Sequence, residues 1–200
     1  MNLSITLIGG PTALIEIDGF RLLTDPTFDA PGAYQLPHVR LEKLIGPAVT
    51  ADTIGEVDAV LLSHDQHSDN LDHSGREFLK TAKRVLTTEA GAKRLGGKVE
   101  GFAPWEVTEL TGSNGQSLTI TATPARHGPA GIEPLSGDVI GFVVRRTSPA
   151  AARSISAATP PGSMASLKSR SASRPGWCCH SQGLRKPGGP FILPWIPTTR

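Results

Sequence analysis

Short apolar runs separated by turn residues predict that the chain begins as a series of β-strands. Residues 5–8, 13–17 and 20–24 are largely apolar, and they are separated by Gly9-Gly10-Pro11 and by Asp18-Gly19. An Asp-Gly pair between two apolar runs is a strong signal for a tight hairpin turn. The pattern therefore predicts a meander of three strands at the start of the chain.

Further strands and two helices are predicted in the middle of the chain. The apolar runs that predict strands lie at residues 57–62, 84–88, 105–110, 117–122 and 139–144. A helix is expected after the capping residue Asp72, and another over residues 89–95, where Gly96-Gly97 ends it. Residues 28–53 are expected to form a long loop with one helical turn. Loops of this length in compact domains usually carry function or disorder, so we expect this loop to face the substrate.

Length and composition fit a single domain rich in strands. The 200 residues suffice for one hydrophobic core, and 22 glycines and 17 prolines with 5% aromatic residues suit short strands joined by many turns. The apolar runs are too short to cross a bilayer, the first residues lack the pattern of a secretion signal, and the two cysteines are adjacent. We therefore expect a cytoplasmic protein without a disulfide framework and without a membrane partner.

The charge distribution divides the chain at its last predicted strand. Asp138 is the last acidic residue, and the segment that follows it contains nine Lys or Arg residues. These basic residues are scattered without regular aromatic neighbours, so we expect no nucleic-acid partner. We predict a domain over residues 1–146. Over residues 147–200 we predict a basic segment rich in Pro, Ser and Gly that is disordered or the product of a shifted reading frame.

Side chains with metal-binding chemistry follow the apolar run at residues 57–62. His64, His67 and Asp69 lie close together in sequence, and His127 comes shortly after the later run at 117–122. Neutral imidazole and carboxylate groups are natural ligands for zinc and similar divalent ions. The same residue types also occur as ordinary loop and helix-capping residues, and the spacing alone does not choose between the two interpretations.

Three segments resemble a known family. Residues 19–26, Gly-Phe-Arg-Leu-Leu-Thr-Asp-Pro, are similar to the third-strand signature of the ascorbate-6-phosphate lactonase-like branch of the metallo-β-lactamase superfamily. Residues 59–72 resemble its metal-binding motif, and residues 123–128 resemble the segment that supplies its next histidine. The resemblance extends over residues 5–144. It implies an α+β fold, the metallo-β-lactamase αββα sandwich, of which the N-terminal half to two-thirds is present.

The resemblance also implies a set of site residues. The expected ligands of a divalent metal, zinc or alternatively manganese, are His64, His67, Asp69 and His127. Asp69 is expected also to accept a proton during catalysis. The family motif is His-x-His-x-Asp-His, whereas this chain has one more residue between its histidines and has Asn70 in place of the third, so binding of one or of two ions stays open. The residues expected to support the ligands without binding the metal are Asp25, Asp65 and Asn70.

The segment after residue 146 contains a second coding pattern. Family members have, further along the chain, an aspartate in a Gly-Asp-Thr stretch and a final histidine segment, and this chain shows neither. Residues 157–165 allow the codons GCG GCG ACA CCA CCT GGT TCG ATG GCA. Regrouped from the third base, these codons encode Gly-Asp-Thr-Thr-Trp-Phe-Asp-Gly. We therefore predict a one-base shift of the reading frame between Phe142 and Ala157.

These features together predict a metal-dependent hydrolase. A metal-activated water is expected to attack an ester, a lactone or a phosphodiester bond in a small-molecule substrate. The predicted frame shift removes two residues of the family's site and with them part of the chemistry. The alternative is therefore a non-catalytic, truncated remnant of such an enzyme.

Overall fold

The computed structural model describes residues 2–35, 40–112, 115–128 and 137–147, together with the backbone of residues 177–179. Its strands are β1 (Leu3–Gly9), β2 (Thr12–Ile17), β3 (Phe20–Thr24), β4 (Gly32–Gln35), β5 (Arg40–Lys43), β6 (Ala59–Leu61), β7 (Val85–Thr88), β8 (Val99–Phe102), β9 (Val107–Thr111), β10 (Ser117–Pro124), β11 (Ile140–Thr147) and β12 (Trp177–Cys179). Its helices are α1 (Ala51–Ile54), α2 (His73–Phe78) and α3 (Glu89–Leu95). Within the described ranges, no helix has the length and apolar character needed to span a membrane.

Two sheets form the body of the fold. The first has the strand order β1-β2-β3-β6-β7-β8, with antiparallel pairing from β1 to β3 and parallel pairing from β3 to β8. The second has the order β12-β11-β10-β9 and is antiparallel throughout. Strands β4 and β5 form a separate hairpin. Because β3, β6 and β7 are parallel, their carboxyl ends lie at the same edge of the first sheet.

The side chains of each strand alternate between two layers of the core. In β6, Ala59 and Leu61 pack in the cluster that also contains Phe142 of the second sheet. Val60 packs on the opposite face, in the cluster that contains Phe78 of α2. This alternation follows from the two-residue period of a strand, which lets one sheet bury both of its faces. The first sheet therefore lies between the helices and the second sheet.

Several predicted elements are present at their predicted places. The meander is formed by β1, β2 and β3, and α3 covers residues 89–95 as predicted. Asp72 caps α2, because its carboxylate accepts a hydrogen bond from the Gly75 amide at 2.8 Å. The α+β class is confirmed, and the described residues form three layers: helices, sheet and sheet.

The prediction of a long loop over residues 28–53 was wrong for residues 32–35 and 40–43, although the expected helical turn is present as α1. This segment contains the β4–β5 hairpin before α1, and most residues of the hairpin are exposed, so no apolar face marks it in the sequence. Two contacts fix it near the start of α2. The Tyr34 hydroxyl donates to Asp29 at 3.0 Å, and the Lys43 ammonium group donates to Asp72 at 3.1 Å. Strand β8, a half-buried edge strand, was also not predicted.

The last described residues extend the second sheet. Strand β11 continues to Thr147, and β12 pairs with it in antiparallel orientation, with Cys179 opposite Phe142. β12 lies within the segment 147–200 that the sequence assigns to a disordered or frame-shifted tail. Residues 148–176 and 180–200 lie outside the described residues. The domain boundary at residue 146 and the nature of the tail therefore stay predictions.

Candidate metal centre

Loops from both sheets bring three histidines to one place. His64 and His67 lie in the loop that follows β6 of the first sheet, and His127 follows β10 of the second sheet. The two loops are tied together through β11, because the Ile140 amide donates a hydrogen bond to the Ser63 carbonyl at 3.1 Å. The candidate site therefore lies where the carboxyl edge of the first sheet meets the second sheet.

The three imidazole rings surround a common point. One ligating nitrogen from each of His64, His67 and His127 lies within 4.8 Å of the other two. The ring centroids are 5.1, 4.9 and 4.8 Å apart, and the rings meet edge to face at angles of 87°, 77° and 70°. Nε2 of His64 and Nδ1 of His67 are 3.3 Å apart. Three rings that converge in this way offer three nitrogen ligands to one ion.

Burial keeps two of these rings neutral. The pKa of His64 is lowered to about 3, first because the ring is buried and then because His127 and His67 lie beside it. Burial also lowers the pKa of His67, although the Asp69 carboxylate opposes this shift. A neutral imidazole has a lone pair available for a metal ion, whereas a protonated one has to lose its proton first. These two rings are therefore ready to bind a cation at neutral pH.

A hydrogen-bond network on the Nδ1 side of the His64 ring fixes its orientation. Its Nδ1 lies 3.0 Å from the Ser63 hydroxyl, which also accepts a hydrogen bond from the Asn70 side chain at 3.1 Å. The Ser63 amide donates to the Asp25 carboxylate at 2.7 Å. Burial raises the pKa of Asp25 to about 7, although hydrogen bonds from Ser63 and Asn70 lower it in part. Asp25 and Asn70 therefore reach His64 through Ser63, and Nε2 of His64 is left to face the cluster.

Asp69 lies outside the group of converging ligand atoms. The group contains the three histidine nitrogens and no oxygen of Asp69. Oδ1 of Asp69 is nevertheless buried and accepts no hydrogen bond from the part of the chain that the structure describes. Its negative charge acts on both His67 and Asp25, so it lies near the cluster. A buried carboxylate oxygen without a hydrogen bond is costly, and a cation is one partner that removes the cost.

Asp65 is held by an ion pair from α3. Its carboxylate accepts three hydrogen bonds from Arg94, at 3.2 and 2.9 Å from Nε and at 2.6 Å from Nη2. The Asp65 side chain is 4% exposed and that of Arg94 is 44% exposed. Burial on its own would raise the pKa of Asp65, but the hydrogen bonds and charge of Arg94 outweigh burial and lower it. The Arg76 side chain also donates a hydrogen bond to the Asp65 carbonyl at 2.7 Å, so the loop that carries His64 and His67 is held in place at Asp65.

Sequence reasoning missed three residues that support this loop: Ser63, Arg94 and Gly137. Ser63 stands directly before His64, and its position at the end of a buried strand was an available signal. Gly137 packs against the Gln66 side chain so closely that an added Cβ would lie 1.8 Å from Nε2. No local pattern marks Arg94 or Gly137, because each meets the loop only through the tertiary fold.

An open cleft of about 370 Å³ adjoins His127. Its walls come from the start of α3, the end of β8 with the turn after it, the end of β10 and the segment that enters β11. The residues that line it are Thr88, Glu89, Phe102, Ala103, Pro104, Pro124, Ala125, Arg126, His127, Gly137, Asp138, Val139 and Ile140. Residues 28–53, expected to face the substrate, contribute nothing to this described lining.

The fold and the three-histidine site together define a class, the metallo-β-lactamase class of metal-binding domains. Residues 20–154 match the model of the beta-lactamase superfamily domain, and the chain belongs to this family. Two mycobacterial proteins, Mb0930 of Mycobacterium bovis and Rv0906 of Mycobacterium tuberculosis, are 32% identical over 132 residues, which is 63% of this chain and 34% of theirs. The chain therefore spans about a third of the length of these curated relatives.

Solved structures agree with this assignment at the level of the fold. The isothiocyanate hydrolase from Delia radicum gut bacteria has a TM-score of 0.56 at 23% identity, over 72% of this chain and 57% of that one. A possible metal-dependent hydrolase from Veillonella parvula has a TM-score of 0.55 at 18% identity, over 73% of this chain and 59% of that one. The predicted metallo-β-lactamase fold is thus confirmed.

Proposed function

We propose that this chain carries the metal-binding part of a metal-dependent hydrolase and that three histidines hold its divalent ion. The observation that carries the proposal is the convergence of His64, His67 and His127, with nitrogens within 4.8 Å and rings edge to face. Three imidazoles favour zinc, with manganese as the alternative. Oδ1 of Asp69 is buried and has no hydrogen-bond partner among the described residues, which supports a role for this carboxylate as a further ligand. The proposal therefore includes binding of either one or two ions.

Each remaining side chain has a task in this proposal. A bound divalent ion supplies Lewis acidity and lowers the pKa of water towards neutrality. Asp69 accepts the proton that the attacking water loses. Ser63, Asp25 and Asn70 hold the His64 ring in one orientation by hydrogen bonds. Asp65 fixes the loop through Arg94, and the cleft beside His127 receives the substrate.

The substrate class in this proposal is a small molecule with an ester, lactone or phosphodiester bond. The cleft of about 370 Å³ has the size of a small-molecule site, since such sites span roughly 300–1,000 Å³. The similarity to an isothiocyanate hydrolase supports hydrolysis of a small electrophile in general. We further propose a cytoplasmic location with neither a nucleic-acid nor a membrane partner, and membership of the lactonase-like branch.

A second candidate is a truncated remnant of such an enzyme that binds metal without turnover. It is favoured by the sequence after Asp138, which has no acidic residue and lacks the Gly-Asp-Thr stretch of the family. We propose that a one-base shift between Phe142 and Ala157 produced this segment. Restoring the frame returns an aspartate to the site, so the two candidates differ in what they predict for the restored protein.

The test compares the chain as it stands with a frame-restored form. Each purified protein is analysed for bound metal by mass spectrometry and assayed with a panel of aryl esters, lactones and bis(p-nitrophenyl) phosphate. We expect at least one zinc per chain in both forms and faster turnover in the restored form. His127→Ala is the matched variant, and it should lose the metal while keeping the circular-dichroism spectrum of its parent.

Two outcomes separate the candidates and one rejects both. Turnover by either form that depends on His127 supports the hydrolase. Stoichiometric metal without turnover in both forms supports the remnant. Failure of either form to bind metal at micromolar concentration, or equal metal content in His127→Ala, would falsify the three-histidine site. The gene sequence decides the frame shift directly, because codons that do not regroup as predicted exclude it.

A further inference from the structure

The walls of the cleft beside His127 are largely apolar. Seven of the described lining residues have apolar side chains: Phe102, Ala103, Pro104, Pro124, Ala125, Val139 and Ile140. They come from three separate segments, so more than one wall of the cleft contributes apolar side chains. A ligand group that enters the cleft therefore exchanges water for carbon contacts on more than one side, which favours an apolar group.

The charges that line the cleft are mainly negative. Glu89 and Asp138 carry carboxylates, and Arg126 carries the positive charge among the described lining residues. The charge of Asp138 also acts on Arg94, but Arg94 is engaged by Asp65 through three hydrogen bonds. Apart from the charge of an ion held by the histidines, the described lining side chains contribute two carboxylates against one guanidinium, and this balance disfavours an anionic group.

From these two observations we propose that the cleft selects an uncharged, apolar substituent next to the hydrolysed bond. This inference rests on the proposed hydrolase function and narrows its substrate class. The scissile group lies at the histidine cluster, and the apolar substituent occupies the cleft between Phe102, Pro124 and Ile140. Substrates whose substituent ends in a carboxylate or a phosphate monoester are disfavoured, because the added negative charge meets Glu89 and Asp138.

The experiment measures binding of two matched amides to the full chain by ligand-observed NMR at low salt. Hexanamide is neutral and apolar, and adipic acid monoamide has the same chain length but ends in a carboxylate. We expect hexanamide to bind roughly tenfold more tightly, since each tenfold step needs only a modest electrostatic and desolvation cost. The measurement is made with and without EDTA, so that affinity of the carboxylate for a metal ion is identified separately.

Three variants test whether the preference for hexanamide over adipic acid monoamide arises in the cleft. Glu89→Gln combined with Asp138→Asn removes both carboxylates and should narrow the preference several-fold. Glu56→Gln is the matched control: Glu56 is exposed and precedes β6, so it lies at the opposite edge of the sheet from His64. It should leave the preference unchanged. Ala103→Phe fills the cleft and should weaken both amides.

The outcomes keep this inference distinct from the proposed hydrolase activity. Equal affinity for the two amides, an unchanged preference after removal of both carboxylates, or unaltered binding in Ala103→Phe would each overturn the cleft assignment. The corresponding esters, ethyl hexanoate and monoethyl adipate, are then assayed with the frame-restored protein. Lack of turnover of both esters and of the aryl esters, lactones and bis(p-nitrophenyl) phosphate named above, beside an intact amide preference, overturns the hydrolase proposal alone. Turnover of both esters at equal kcat/KM overturns the selectivity alone.

Discussion

Replacing Arg94 by methionine is expected to weaken metal binding through a residue that does not touch the metal. Arg94 donates three hydrogen bonds to Asp65, which is the residue directly after His64. Methionine keeps much of the length and helix propensity of arginine but cannot pair with the carboxylate. Asp65 is 4% exposed, so the loss leaves a buried charge that has to gain water, become protonated or move. Each of these responses displaces the loop that holds His64.

The magnitude follows from the exposure of the two partners. Breaking a fully buried ion pair costs about 3–5 kcal/mol, but Arg94 is 44% exposed and part of its interaction is screened by water. We therefore expect the free energy of unfolding to fall by about 1–3 kcal/mol, the range for leaving a buried polar group without its hydrogen bonds. The affinity for a divalent ion should fall about 10- to 100-fold, as for other residues that orient metal ligands. The metal affinity of Arg94→Lys should lie between that of the parent and that of Arg94→Met, because lysine keeps the positive charge but lacks the planar guanidinium group.

The control is a second arginine whose ion pair lies away from the histidines. Arg84 donates to Glu100 at 2.6 and 2.5 Å across the edge of the first sheet. Arg84→Met should lower the free energy of unfolding in urea by a similar amount but leave the metal affinity unchanged. Metal affinity is measured by cobalt titration, with the visible absorption bands of the bound ion reporting its ligand geometry. If Arg94→Met binds cobalt as tightly as the parent with the same bands, Arg94 has no role in positioning the loop and the reasoning fails.

Three further predictions concern the fold around the site. Asp29→Asn should lower the free energy of unfolding by about 1 kcal/mol at pH 7, because hydrogen bonds from α2 outweigh burial and lower the pKa of Asp29. In urea titrations this loss should become smaller below about pH 4, where a carboxylate with a lowered pKa loses its stabilising contribution. Without metal, the stability of the parent relative to Asp25→Asn should fall from about pH 4 to pH 7, because burial raises the pKa of Asp25 to about 7. The lowered pKa values of His64 and His67 act in the opposite direction, but they do so in both proteins, so a difference that does not change with pH would contradict the assignment. Gly75→Ala places a Cβ 1.9 Å from the Pro26 carbonyl oxygen and should lower the free energy of unfolding by about 3 kcal/mol or more, as measured by thermal or urea unfolding. The control is Glu77→Ala at an exposed position of the same helix, which should change the free energy of unfolding by no more than about 0.5 kcal/mol.

Much of the secondary structure could be predicted because its causes are local. The Asp18-Gly19 pair fixes the turn between β2 and β3, and Asp72 caps α2 through an amide only three residues away. The helix over residues 89–95 begins after a threonine cap and ends at Gly96, and both signals stand in the sequence itself. The β4–β5 hairpin could not be predicted in this way, since its residues are exposed or half-buried and no apolar face marks it in the sequence.

The sequence by itself determined most elements of the fold and the family resemblance, and it placed His64, His67 and Asp69 in one loop. These features depend on periodicity, capping and spacing over a few residues, which are properties of the chain before it folds. Only the tertiary structure decided that His127 meets that loop, that Arg94 pairs with Asp65 from 29 residues away, and that Asp69 stays outside the group of converging nitrogens. Such contacts depend on how two sheets pack, because side chains distant in sequence meet only when the core between the sheets is buried.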